Sequence, residues 1–219
     1  METVLILDFG AQYSQLIARR VREQNVYCEV KPCSISPDEI RKLAPIGIIL
    51  SGGPQSVYES VSLHVDPALF SLGIPVLGIC YGCQLMAYSL GGTVAAATEA
   101  TAREYGKTLT EFDTESAIFH GLPASSVTWM SHGDYISQVP DGFTVTAKTA
   151  VCPTAAMACP EKKLYGVQFH PEVQHTVQGS EILRRFLYSV CGASGDWTMA
   201  DYRQTAIRAI REKVGSGRA

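Results

Sequence analysis

The feature that most constrains this chain is an alternation in its first ninety residues, where short apolar runs take turns with segments of helical pattern. "TVLILD" (3–8), "VYCEV" (26–30), "IGIILS" (46–51) and "PVLGI" (75–79) are short, bounded by turn residues and rich in Val and Ile, so they read as buried strands. Between the first two, "AQYSQLIARRVREQN" sets Leu16, Ile17 and Val21 on one helical face and turns Arg19, Arg20 and Glu23 toward solvent. "SPDEIRKLA" carries a cap and a short helix, "DPALFSLG" a helix ended by Gly73, and "YGCQLMAYSLGG" a helix closed by glycines. The order βαβαβαβα predicts an α/β fold: a doubly wound, mostly parallel sheet flanked by helices, with ligands at the carboxyl ends of its strands.

The second half is less regular. "REYGKTLTEFD", "SVTWMSHGDYI", "GFTVTAKTA" and "LYGVQFHPEV" read as strands and turns, and "SEILRRFLYSV" (180–190) as an amphipathic helix. A Gly/Ser break, "CGASGD", precedes a last helical pattern, "MADYRQTAIRAIREKV", and a "GSGRA" end. That break divides a domain over 1–191 from a linker helix over 192–219. A net charge of −3 gives no reason to expect nucleic acid or an anionic membrane as partner. No apolar run approaches the roughly 18 residues of a membrane span, and the N-terminus lacks a secretory signal. The seven cysteines are scattered singly apart from Cys80 and Cys83, which argues for reduced thiols and a cytoplasmic location.

Cys80 and Cys83 form a C-x-x-C that admits several chemistries. Two buried thiols packing as small hydrophobes is the plainest. A redox pair needs a C-x-x-C beside a βαβ pattern, which is present. A zinc site needs about four ligands, and "HPEVQH" offers His170, Glu172 and His175. In the zinc deaminases, however, H-x-E comes first and Pro precedes the first Cys; here the order is reversed and Ile79 stands there. No metal is therefore expected.

A nucleophile fits more of the sequence. Cys80 lies where a strand meets a helix, between Gly78 and Gly82, and G-x-C-x-G has the form of an elbow in which small neighbours permit a sharp turn. The positive end of the helix dipole favours a thiolate there. The thiol still needs a base with an orienting partner. His170 and Glu172, at i and i+2 of an extended segment, point to one side and can hydrogen-bond.

With these residues in view, "GICYGCQ" and "GVQFHPE" resemble the Cys–His–Glu triad of the class I glutamine amidotransferases, whose fold is flavodoxin-like. "ILDFGAQYSQLIARRVRE", "SGGPQSVY", "REYGK", "WMSHGD" and "GDWTM" are similar to the amidotransferase portion of the GMP synthases within that family. The resemblance implies that Cys80 attacks the carboxamide of L-glutamine, His170 carries protons and Glu172 orients His170. It implies an oxyanion hole from the backbone N–H groups of Gly53 and Tyr81. Gln84, Ser131, Gly133 and Asp134 match positions that hold the substrate's amino-acid end. Ammonia would pass to a synthetase (ATP pyrophosphatase) domain that aminates XMP to GMP, in cis or in trans. That domain would use ATP and Mg; this one needs no cofactor. "SGGPQS" superficially resembles a pyrophosphatase phosphate loop, but Gln55 replaces the acidic residue and no strong helix follows, so no ATP site is expected here. Position 83 is usually Met in that subfamily, so Cys83 reads as a packing residue. The alternatives are the glutaminase component of another amidotransferase, such as anthranilate synthase, and a Cys80/Cys83 redox protein.

Overall fold

A computed structural model describes residues 2–10, 13–97 and 103–215. Strand β1 (Thr3–Asp8) shows why the sheet has two covered faces. Successive strand side chains point in opposite directions. Val4 and Ile6 enter one core with Ile17 and Val21 of α1 (Ser14–Glu23) and Ile182 and Leu183 of α4 (Gly179–Arg185). Leu5 and Leu7 enter the other, with Ile40 of α2 (Pro37–Leu43) and Leu85 and Met86 of α3 (Tyr81–Ser89). A strand covered on both sides must be apolar at every position, hence the continuous "VLIL".

The main sheet runs β2 (Tyr27–Pro32), β1, β3 (Gly47–Leu50), β4 (Val76–Ile79), β11 (Leu164–Val167), β10 (Ala156–Cys159), β9 (Thr144–Lys148), β6 (Glu104–Phe112) and β7 (Ser125–His132). The first five strands pair in parallel, and every pairing from β11 onward is antiparallel. A separate ribbon joins β5 (Thr93–Ala96) to β8 (Asp134–Gln138). The doubly wound expectation therefore holds for the first half, and the less regular second half adds an antiparallel wing. Its last strand, β11, turns back to pair with β4.

Two local expectations shift. "DPALFSLG" forms a 3-10 turn, Pro67–Ser71, capped by the Asp66 carboxylate, because the cap and Gly73 leave little more than one turn between them. Arg20 is not simply solvated, since its Nε donates to the Glu172 carbonyl at 2.8 Å. Ala11 and Gln12 of the first helical segment, and all but the first residue of "GSGRA", lie outside the described residues. Ser36 caps α2 through a capping box with Glu39. Helix α5 (Met199–Val214) is tethered at its start: the Trp197 and Tyr202 rings lie 6.0 and 5.4 Å from Tyr27. Among the described residues, no helix is long and apolar enough to cross a membrane.

Candidate active site

Between β4 and α3 the chain turns at one residue, Cys80, with φ 52° and ψ −108°. A side chain at such a positive φ costs on the order of 1–3 kcal/mol, which the surroundings must over-determine. They do. A Cβ on Gly78 would lie 2.6 Å from the Gly82 carbonyl oxygen, and one on Gly82 would lie 2.5 Å from the Leu50 carbonyl oxygen. Both glycines of G-x-C-x-G are thus required by backbone contact. The Cys80 N–H donates to Val167 O at 2.8 Å, and the Gly82 N–H to Ser51 O at 3.1 Å. The Ser51 hydroxyl accepts the Phe9 N–H at 3.1 Å, so the ends of β1, β3, β4 and β11 are laced together under the elbow.

The pairing of β11 with β4 also delivers the histidine. Gly166 faces Gly78 and Val167 faces Ile79, so the two chains leave the sheet at one level. Cys80 comes directly after Ile79, and His170 three residues after Val167. The His170 N–H donates to Trp129 O at 3.0 Å, and its carbonyl accepts the Thr176 hydroxyl at 2.6 Å. Imidazole Nδ1 lies 2.7 Å from Glu172 Oε1. The backbone here bends and turns and is not extended, so the expected pairing forms through a turn. Gly179 permits that turn, because a Cβ there would overlap the Pro171 carbonyl.

The electrostatics favour a charged imidazole. Burial alone would lower the His170 pKa, but hydrogen bonds to Cys80 and Glu172, with their negative charges, raise it from 6.5 to about 10. The Glu172 carboxylate is 1% exposed and held beside its partner. With Nδ1 committed to Glu172, Nε2 is left for the thiol.

Cys83 has another role. It is fully buried, and burial pushes its thiol well above the usual range. It packs over Gly166, where a Cβ would lie 2.5 Å from its Sγ, and joins the core that holds Met157. Both cysteines of the C-x-x-C are free thiols. His175 packs tilted against Trp129 with ring centres 4.6 Å apart, and among the described residues it joins no metal-type cluster with Cys83.

A cavity of about 360 Å³ opens beside the elbow, within the range of small-molecule clefts. Its wall gathers Cys80 with Gly53, Tyr81, Gln84, Ser131, Gly133 and Asp134, all singled out from the sequence. Tyr81 is the first residue of α3, so its N–H has no intrahelical acceptor, and the Gly53 N–H meets none among the described residues. The "SGGPQS" loop runs irregularly after β3 and lines this cavity. Two carbonyls of "SHGD" are already engaged. Gly133 O accepts the Ala97 N–H at 2.9 Å, and Asp134 O accepts Gln84 Nε2 and His132 Nδ1, each at 2.9 Å. Cys80 Sγ lies 3.7 Å from both Ser131 O and the Gln168 amide nitrogen.

Sequence reasoning missed Gln168, Ser51, Arg20 and Tyr105, the last on the cavity wall. Gln168 stands two residues before His170, in the segment that identified the histidine, so a signal existed for it. A second grouping was also missed. Glu104, His132 and Cys152 place ligand-type atoms within 4.8 Å of one another, all buried. His132 Nε2 is 3.3 Å from Glu104 Oε2, while the Thr149 hydroxyl donates to Glu104 Oε1 at 2.7 Å. Burial and the Glu104 charge push the Cys152 thiol up to about 12, which disfavours it as a thiolate ligand.

The chain matches the family described as Glutamine amidotransferase class-I over residues 5–190. It is 54% identical over 217 residues to GMP synthase (glutamine-hydrolyzing) from Clostridium botulinum strain Alaska E43, covering 99% of this chain and 42% of that protein. It is 56% identical over 214 residues to the protein of the same name from Acetivibrio thermocellus, covering 98% and 41%. The chain thus spans about two fifths of the length of these curated relatives. The solved structure of a candidate GMP synthase component from Thermoplasma acidophilum superposes with a TM-score of 0.75 at 30% identity, over 94% of this chain and 98% of that one. A glutamine amidotransferase from Thermotoga maritima, at 20% identity and a TM-score of 0.68 over 88% and 99%, shares the fold. An elbow cysteine, a carboxylate-clamped histidine and a match across nearly the whole sheet lead to one assignment: the chain belongs to the class-I glutamine amidotransferase family.

Proposed function

We propose that this chain hydrolyses the side-chain amide of L-glutamine to glutamate and ammonia, with Cys80 as nucleophile, His170 as proton carrier and Glu172 as its orienting partner. The observation that carries the reading is the strained elbow thiol at a cavity wall beside a buried imidazole clamped at 2.7 Å by Glu172. With the Cys80 thiol proton already held on His170, the sulfur attacks the amide carbon. The resulting oxyanion lies against the N–H groups of Gly53 and Tyr81, each worth roughly 3 kcal/mol in the transition state. His170 gives its proton to the leaving nitrogen, ammonia departs and a thioester to Cys80 remains. Water then attacks the thioester, His170 takes its proton, and glutamate leaves as the thiol is restored. Gln84 and the 131–134 turn hold the amino-acid end.

The ammonia would aminate XMP to GMP in a synthetase domain, which would use ATP and Mg, in cis or in trans. The names of the curated relatives and their additional length support this step. Residues 1–191 would form the glutaminase domain, with α5 as the linker toward the synthetase. The free thiols of all seven cysteines fit work in a reducing cytoplasm. The test is glutamate release by the chain alone, then with a GMP synthase synthetase domain, ATP and XMP added. Turnover that rises on addition supports the reading. Full-speed hydrolysis unchanged by the partner overturns the coupling, and no glutamate under either condition overturns the activity.

A further inference from the structure

We propose that Gln168 is a hydrogen-bond donor to the nucleophile, its side-chain N–H holding Cys80 Sγ and favouring the thiolate. The inference rests on the reading of Cys80 given above, but its test does not use glutamine turnover. Which end of a glutamine amide is nitrogen must be argued from its partners. Here a chain of contacts settles both amides. The Asp134 carbonyl can only accept, so the Gln84 atom 2.9 Å from it is Nε2. That same nitrogen lies 3.1 Å from Gln168, so the Gln168 atom facing it is Oε1. The other end of the Gln168 amide is then its NH2, which lies 3.7 Å from Cys80 Sγ.

The anchor of this chain is itself held. Asp134 O also accepts His132 Nδ1–H at 2.9 Å, and His132 Nε2 lies 3.3 Å from the buried Glu104 Oε2. Gln168 is fully buried, and its backbone N–H donates to Ala155 O at 2.8 Å, so the side chain starts from a fixed point. A donor aimed at sulfur favours the charged form of the thiol over the neutral one.

The experiment measures the rate at which iodoacetamide alkylates Cys80 in the full chain, by peptide mapping, in the native protein and in Gln168→Glu and Gln168→Met. Gln168→Glu replaces the donor with an acceptor and a like charge. It should slow Cys80 alkylation at pH 7.5 by ~tenfold, because the thiolate is the reacting form. Gln168→Met, similar in shape and without a donor, should slow it by roughly threefold. It keeps the test decisive if Gln168→Glu does not fold, as judged by thermal unfolding. A merely structural role would lower the melting temperature and leave the alkylation rate unchanged or faster. Alkylation within twofold of the native rate in a folded variant overturns the proposal. If the native chain releases no glutamate yet both variants slow alkylation, the proposed activity falls and the role of Gln168 stands.

Discussion

Two groupings in this molecule draw on the same three residue types. Cys80, His170 and Glu172 meet at the strand ends; Cys152, His132 and Glu104 meet within the antiparallel wing. In the first, Cys80 occupies a strained turn at the mouth of a helix and borders a cavity. In the second, Cys152 is 1% exposed and its thiol is pushed to about 12. The histidines differ in the same sense. His170 gives Nδ1 to a carboxylate and leaves Nε2 for the thiol, whereas His132 gives Nδ1 to a backbone carbonyl and holds Nε2 3.3 Å from Glu104 Oε2 without a hydrogen bond. Composition does not make a catalytic group. Access to a cavity and a place at a helix N-terminus set the proposed catalytic group apart.

The largest difference expected between the two groupings lies at the thiols. Cys80→Ala should abolish glutamate release, a loss of at least ~10⁴-fold, since a triad acts as a unit. Cys152→Ala should keep turnover within about threefold, because it touches no reacting atom. Equal losses in a glutamate-release assay would make the second grouping catalytic.

Next in size are the carboxylates. Glu172→Gln should lower kcat by roughly 10²–10⁴-fold, because an amide no longer stabilises the imidazolium or fixes its tautomer. Glu104→Gln should leave kcat within a few-fold and instead raise KM for glutamine, since His132 supports the 131–134 wall. Steady-state kinetics on the two variants separates these outcomes.

The pH dependence of stability sharpens the contrast further. The His170 pKa rises from 6.5 in the unfolded chain to about 10 on folding. Its contribution is therefore fully present below pH 6.5 and is lost as pH climbs through about 10. Denaturant melts of the native chain and His170→Asn should show a native advantage, on the order of a few kcal/mol, that fades across that window. An advantage that grew with pH would reverse the assigned charge. The smallest effect expected is at Cys83. Cys83→Met should keep turnover within a few-fold, with a stability cost of about 1–3 kcal/mol from overpacking against Gly166.

Much of the site was legible because its signals are local. The elbow needs two glycines within two residues of the cysteine, and the histidine's partner lies two residues along the chain. The first four strands were legible for the same reason, as their double burial makes them continuous apolar runs. What the sequence hid is set by pairing at a distance. Nothing in "LYGV" says that it will lie beside "VLGI", or that Arg20 will reach the carbonyl of Glu172. The Glu104–His132–Cys152 grouping was hidden likewise, its members joined only by the pairing of β6 with β7 and the packing of the 149–155 turn. At 67–71 composition points to a full helix, but the short distance from the Asp66 cap to Gly73 leaves room only for a 3-10 turn.

The insertion of β11 between β4 and β10 has a consequence for how the protein comes to work at all. The proposed nucleophile is made in the first half of the chain, and its proposed base reaches it only when a strand from the second half slots into the middle of the sheet. A ribosome will have released Cys80 and its elbow long before it supplies the segment that carries His170. Contacts of such long sequence separation form late and slowly. During that interval the chain holds a thiol without a base, and glutamine turnover would begin only once the sheet is closed. Onset of activity after dilution from denaturant would thus serve as a clock for the arrival of that strand.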